Sequence, residues 1–176
     1  MKDLPLPKVY QLLEPGPVAL LVTAKDGKPN VMTMSWHMMV EFEPPRIACV
    51  VSGADYSFDA LVTTRQCVIA LPDAEMAERV VGIGNCSGRE VDKFRRFHLK
   101  TAPAATVEAP LLTECFANIE CRVIDARLVK KFNLFVLEAT RAWGDADKPW
   151  PRTIHHRGWG EFVLDGEVVT IPSAMR

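Results

Sequence analysis

Asp26-Gly27 lies between two runs that both read as strands, and no other feature restricts the fold of this 176-residue chain as much. Val18 to Ala24 is apolar at every position except Thr23, the pattern of a strand buried on both faces. Lys25-Asp26-Gly27-Lys28-Pro29 then turns the chain, since Asp-Gly between two strands is a strong hairpin signal. The return arm, Asn30 to Trp36, opens a longer segment that ends at Glu43-Pro44-Pro45. There proline removes backbone donors and restricts the residue before it.

Further strands are expected at Arg46–Ser52, Cys67–Leu71, Phe116–Ala126, Leu134–Ala139, Glu161–Leu164 and Val168–Ile171, with Asp165-Gly166 as the last hairpin turn. In the clearest of these, Ala117, Ile119, Cys121 and Val123 alternate with Asn118, Glu120 and Arg122. Helices are short. Val9–Leu13 stops at Pro15-Gly16-Pro17, and a second helix begins at Ser57, read as its N-cap. Asp73 caps a helix to Val81, and Glu90–His98 carries a basic face of Lys93, Arg95 and Arg96. Strands outnumber helices and tight turns join them. The fold expected is therefore mainly β: a closed or partly closed, mostly antiparallel barrel with short packed helices, forming a single domain over 1–176.

Composition excludes several function classes. A net charge of −1 with no strongly basic run disfavours nucleic acid as a partner. The N-terminal residues lack a signal-peptide core and the longest apolar runs are too short to span a bilayer, so a cytoplasmic protein that does not engage the membrane is expected. The five cysteines include no Cys-x-x-Cys pair, which argues against a disulfide framework, a zinc ribbon and a dithiol centre. The adjacent His155 and His156 point to opposite faces if extended, and His37 and His98 have no partner at ligand spacing, so no metal is expected.

Two segments carry candidate chemistry. In Asn30–Pro45 an indole, an imidazole and hydroxyls are mixed with four methionines. Soft apolar groups beside small polar ones suit a planar, amphipathic ligand, although an irregular buried strand with methionine as filler explains the same residues. Gly82-Ile83-Gly84-Asn85-Cys86-Ser87-Gly88-Arg89 reads as a glycine-rich loop leading to a helix near Glu90. It follows a helical pattern rather than a strand, so it is not a dinucleotide fingerprint. Its backbone N–H groups, the Ser87 hydroxyl, Arg89 and Lys93 suit an anion, while an ordinary turn is the plainer explanation. Ser52 to Phe58 is a second hydroxyl-bearing loop that opens a helix.

Taken together, Pro15-Gly16-Pro17-Val18, Met32-Thr33-Met34-Ser35-Trp36-His37, Pro44-Pro45, Asn85-Cys86-Ser87-Gly88-Arg89 with Asp92-Lys93-Phe94, and His155-His156-Arg157-Gly158 resemble the flavin reductase-like, FMN-binding split-barrel family, and most of all its flavoredoxin branch. The resemblance runs from about Val9 to Pro172. It implies a split barrel that forms a homodimer and binds FMN. It also implies that Met32, Thr33, Met34, Ser35 and Trp36 flank the isoalloxazine ring. Ser52, Ser57 and Phe58, together with Asn85, Cys86, Ser87, Gly88 and Lys93, are then expected at the ribityl and phosphate groups.

The implied function is electron transfer through bound FMN, from NAD(P)H or a redox protein to flavin or a protein acceptor, with flavin as the reactive group. One departure stands out. Relatives that use NAD(P)H often carry an Asp-His or similar pair where this chain reads Lys131-Phe132-Asn133-Leu134-Phe135. His155 or His156 is left to replace it. The alternative reading is a non-catalytic barrel that binds or senses flavin.

Overall fold

The structure, a computed structural model, describes residues 1–144 and 150–173. The strands are β1 (Lys2–Asp3), β2 (Ala19–Lys25), β3 (Lys28–Met34), β4 (His37–Phe42), β5 (Pro45–Val50), β6 (Gln66–Leu71), β7 (Thr101–Ala102), β8 (Leu111–Leu112), β9 (Ala117–Asp125), β10 (Leu134–Gly144), β11 (Ile154–Gly158) and β12 (Glu161–Leu164). The α-helices are α1 (Val9–Leu13), α2 (Tyr56–Thr64), α3 (Ala77–Gly84), α4 (Lys93–Arg96) and α5 (Val129–Phe132). The chain is mainly β, as expected.

The main sheet is antiparallel and runs β3-β2-β6-β9-β10-β5-β4, with β1 added to β10. Its two edge strands, β3 and β4, are consecutive in the chain, separated only by Ser35 and Trp36. Laid flat, seven strands would hold those edges about 29 Å apart, whereas so short a link reaches only about 10 Å. The sheet therefore has to curl until its edges nearly meet, which makes a split barrel. The Asp26-Gly27 turn behaves as expected: both residues have positive φ, 52° and 71°, and Ala19 to Lys25 pair in unbroken register with Met34 to Lys28.

One apolar cluster fills the barrel, with Leu21, Ile47, Cys49, Cys67, Ile69, Ile119, Cys121, Phe135 and Leu137 among its members. A second lies outside it, where Leu20, Val22, Val31, Val68 and Ala70 pack under Val80 and Ile83 of α3 and under Leu99, Leu111 and Leu112. This second layer explains why β2 is apolar on both faces. It also buries Asn118 and Glu120, which alternation places on the polar face of β9. The Glu120 carboxylate accepts from the backbone N–H of Ala105 and Thr106, the Thr106 hydroxyl and Trp143 Nε1, so hydrogen bonds compensate its burial.

Several expectations are corrected. Gly82 and Gly84 belong to α3, so the loop proper begins at Asn85. The basic helix is only Lys93–Arg96, capped by Asp92, and its basic face is split: Lys93 is buried while Arg95 and Arg96 are exposed. Asp55, not Ser57, is the N-cap residue of α2. Val168–Ile171 forms no strand, and the last hairpin turns at Trp159-Gly160, both with positive φ. Asp165 instead accepts a hydrogen bond from the Thr153 N–H, so Asp165-Gly166 is no hairpin turn.

Candidate functional site

A cleft of about 580 Å³ opens beside edge strand β3, between the first turn of α2, the C-terminal end of α3 and the 85–93 segment. That volume falls within the roughly 300–1,000 Å³ of small-molecule sites. Strand β3 contributes Asn30, Met32 and Thr33. Asn30 Nδ2 donates to Ser57 Oγ at 2.8 Å, and Thr33 Oγ1 donates to the Val80 carbonyl at 2.6 Å. These bonds fix β3 to α2 on one side and to α3 on the other.

The far wall is Asn85 to Val91. Ser87 organises it: its carbonyl accepts from the N–H groups of Glu90 and Val91, and its hydroxyl accepts from the Arg89 N–H. Gly88 is required for space rather than for dihedral freedom. A Cβ there would overlap Asn30 Oδ1 and lie 2.5 Å from the Tyr56 ring. Cys86 turns its thiol back toward the carbonyls of Gly82 and Ile83.

Charge in the cleft is mixed, with a basic excess. Lys93 is only 5% exposed, and its Nζ donates to the Ile83 carbonyl at 2.9 Å. A cation placed on the last carbonyls of α3 complements the negative end of that helix. Burial pushes the Lys93 ammonium below its ordinary pKa, against an upward pull from Cys86 and Asp55. Arg89 donates to the Ala54 carbonyl at 3.0 Å and holds its guanidinium 5.6 Å from the Tyr56 ring centroid. Arg96 also lines the cleft, against the acids Asp55 and Glu90.

Of the residues expected from sequence, the cleft gathers Met32, Thr33, Ser57, Asn85, Cys86, Ser87, Gly88 and Lys93. It does not gather Met34, Ser35, Trp36, Ser52 or Phe58. Met34 is 3% exposed inside the barrel core, and Phe58 stacks edge-on against Phe135 there, 5.7 Å between centroids. Ser52 organises its own turn, bonding the Ala54 N–H through its hydroxyl and Asp55 through its backbone. Ser35 and Trp36 form the link between the sheet edges, where Trp36 is 70% exposed.

His155 and His156 lie on β11, away from the cleft. His155 bonds the Gly16 carbonyl through Nδ1 and Thr153 through Nε2, while His156 packs on Phe162. Among the described residues that line the cleft there is no histidine. Asp55 and Tyr56 lie in the 52–58 loop expected from sequence without being singled out there as wall residues, and Arg96 is expected only on the basic helix face. The signal for Tyr56 is its place one position before Ser57 in the 52–58 loop.

Comparison with known proteins agrees with the fold. The flavin reductase like domain matches residues 12–159. The chain is 30% identical to the uncharacterized Escherichia coli K12 protein YddH, over 91% of this chain and 92% of that protein. It is 29% identical to an uncharacterized Archaeoglobus fulgidus protein over 78% of each. Among solved structures, the FMN-binding domain of a flavin reductases-like enzyme from Shewanella baltica superposes with a TM-score of 0.91 at 23% identity, covering 97% of both chains. Flavoredoxin of Desulfovibrio vulgaris (Miyazaki F) gives 0.80 at 22% identity, covering 90% of this chain and 91% of that one. At such identities the structural likeness speaks for the fold, while the domain match covers most of the sequence: the chain belongs to the flavin reductase like domain family.

Proposed function

We propose that this chain is an FMN-binding oxidoreductase of the flavin reductase or flavoredoxin kind. The observation that carries the reading is the cleft at β3, where apolar and hydroxyl groups at one end meet a glycine-bearing anion loop and a buried lysine at the other. Gly88 supports the reading, because with no side chain there the loop packs directly on Asn30 and Tyr56 and is held beside β3 and α2.

Lys93, Arg89, the Ser87 hydroxyl and the loop N–H groups would hold that phosphate. Met32 and Thr33 would meet the ring, with Ser35 and Trp36 flanking it beyond the cleft. Flavin, when bound, supplies the two-electron chemistry. The protein's part is to bind, orient and set the electrostatics. FMN-binding relatives of the same fold, such as the Shewanella baltica domain, support the choice of cofactor.

We further propose a homodimer, in which the exposed Trp36, Met38, Val40 and Phe42 of the β4 edge become covered. Sedimentation at several concentrations tests it, and a monomer throughout would sink it.

Among the described residues the cleft has no histidine, which favours a second reading, a flavin carrier or sensor that does not oxidise nicotinamide itself. One spectrum separates them. Purified protein should show flavin absorption, and anaerobic NADH or NADPH should bleach it if the chain is a reductase. Bands that persist until dithionite is added would identify a carrier, and no bands after FMN is supplied would overturn the flavin assignment.

A further inference from the structure

We propose that the connection from β9 to β10, built around α5, is a docking surface for the acidic face of a redox protein. This rests on the flavin reading above and names the kind of partner that supplies the electrons.

Positive charge is concentrated in this stretch. Residues 122–133 carry Arg122, Arg127, Lys130 and Lys131 against the single acid Asp125, in a chain whose net charge is −1. Asp125 is taken up by Arg127, whereas Lys130 and Lys131 form no ion pair among the described residues. Arg65, the C-cap residue of α2, brings a further cation to this end of β9, since its guanidinium donates to the Val123 carbonyl.

Apolar area accompanies the charge. Val129 anchors α5 in the barrel cluster. Leu128 and Phe132, one helical turn apart, instead face out and are 46% and 53% exposed. Lys131 Nζ stands 5.1 Å from the Phe132 ring centroid, so ammonium and ring belong to one patch.

This patch shares a rim of the barrel with the segment proposed to flank the ring. At the end of β5 the Val50 N–H donates to the Trp36 carbonyl at 3.0 Å, and the Val51 N–H donates to the Asn133 carbonyl at 3.1 Å. Trp36 and Asn133 are therefore two strand spacings apart, about 10 Å, and Phe132 adjoins Asn133. Strands β4 and β10 flank β5 on opposite sides, so α5 lies outside the edge assigned to the homodimer.

A small apolar centre with unpaired lysines beside it suits a weak encounter with an acidic protein, and electron-transfer partners meet through small, charge-complementary interfaces. Membrane binding instead scales with the apolar area inserted, and the two side chains of this turn offer little.

The test supplies the full chain with FMN and titrates it by calorimetry with a plant-type [2Fe–2S] ferredoxin, an acidic one-electron carrier. Two electrons from two reduced ferredoxins, with two protons from solvent, reduce one flavin and leave both ferredoxins oxidised, so anaerobic bleaching of the flavin band is a second readout. Wild type is compared with Lys130→Glu, Lys131→Glu, Phe132→Ala and a control, Lys2→Glu. Lys2 pairs with Gly144 at the far end of β10, and all four side chains are exposed, so folding is kept.

At low salt each reversal of Lys130 or Lys131 should weaken ferredoxin binding about fivefold or more and slow the bleaching, while Lys2→Glu should do neither. The difference should shrink at about 0.15 M salt, where charges are screened. Phe132→Ala should weaken binding at both salt concentrations. No ferredoxin binding at low salt, or reversals no different from Lys2→Glu, would overturn the proposal. Binding to phosphatidylserine vesicles with ferredoxin ignored would give the patch to a membrane and overturn it too. Protein that binds ferredoxin but takes up no FMN would strike the flavin reading and leave the docking surface standing.

Discussion

Asn30 and Ser57 meet through a buried 2.8 Å hydrogen bond that ties the return arm of the first hairpin to the first turn of α2. The other end of the Asn30 amide closes on Gly88, so one side chain brings three distant segments together at the proposed phosphate site. Ser57 is therefore a strut between elements, while Asp55 stands at the N-cap position of α2 and turns its carboxylate to the Ser52 N–H.

Ser57→Ala should lower stability by about 1–3 kcal/mol, because it leaves a buried amide donor unpaired. FMN affinity should fall with it as Asn30 is released. Urea denaturation and flavin titration check both. An unchanged unfolding midpoint would show that Asn30 finds another partner.

Gly88→Ala forces the loop away from Asn30 and Tyr56, since the added carbon has no room. FMN should bind about tenfold or more weakly, with little change in melting temperature, since loop backbone can shift where a packed core cannot. Retained affinity would move the phosphate away from this loop.

Lys93→Met keeps the apolar stem and removes the ammonium from the Ile83 carbonyl. A charge-assisted hydrogen bond contributes about 1.5–3 kcal/mol, so stability should drop by about that much. Phosphate binding should weaken as well, and Lys93→Arg should recover part of the affinity. If Lys93→Met destabilises the fold but leaves FMN binding intact, the lysine serves α3 alone.

What was legible in the sequence follows from where the decisive interactions are local. The hairpin at Asp26-Gly27 is readable because two adjacent residues determine it, and the Asp73 cap because the N–H that donates to it is two residues away, although it caps a 3-10 turn, Ala74–Met76, that precedes α3 rather than α3 itself. Met34 and Phe58 stand next to proposed site residues in sequence, yet the curl of the sheet turns them into the barrel. Ser57 looked like a cap because its partner, Asn30, is 27 residues away. Glu120 looked solvent-facing because the layer that covers β9 comes from 105–106 and Trp143. The strand expected at 168–171 shows the same limit, since apolar residues without a partner strand remain exposed.

His37 should make stability fall in mild acid. Its Nε2 meets the Pro17 carbonyl at 2.7 Å and must therefore carry the hydrogen, which leaves Nδ1 bare, buried and without a partner among the described residues. A proton there would have no acceptor. Burial holds the imidazole below its ordinary 6.5, although the bond to Pro17 pulls the other way. The unfolded chain thus binds a proton at a pH where the native state does not, and stability declines as pH drops below about 6.5, until the depressed native pKa is reached. Glu114 and Glu120, whose carboxyls are held below their ordinary 4.5 by the groups that donate to them, add losses only in stronger acid. Chemical denaturation of wild type and His37→Gln at pH 7.5 and pH 5 isolates the effect, since glutamine can still donate to Pro17 but does not titrate. The variant should show the smaller loss on acidification; equal losses in the two proteins would place the acid sensitivity elsewhere.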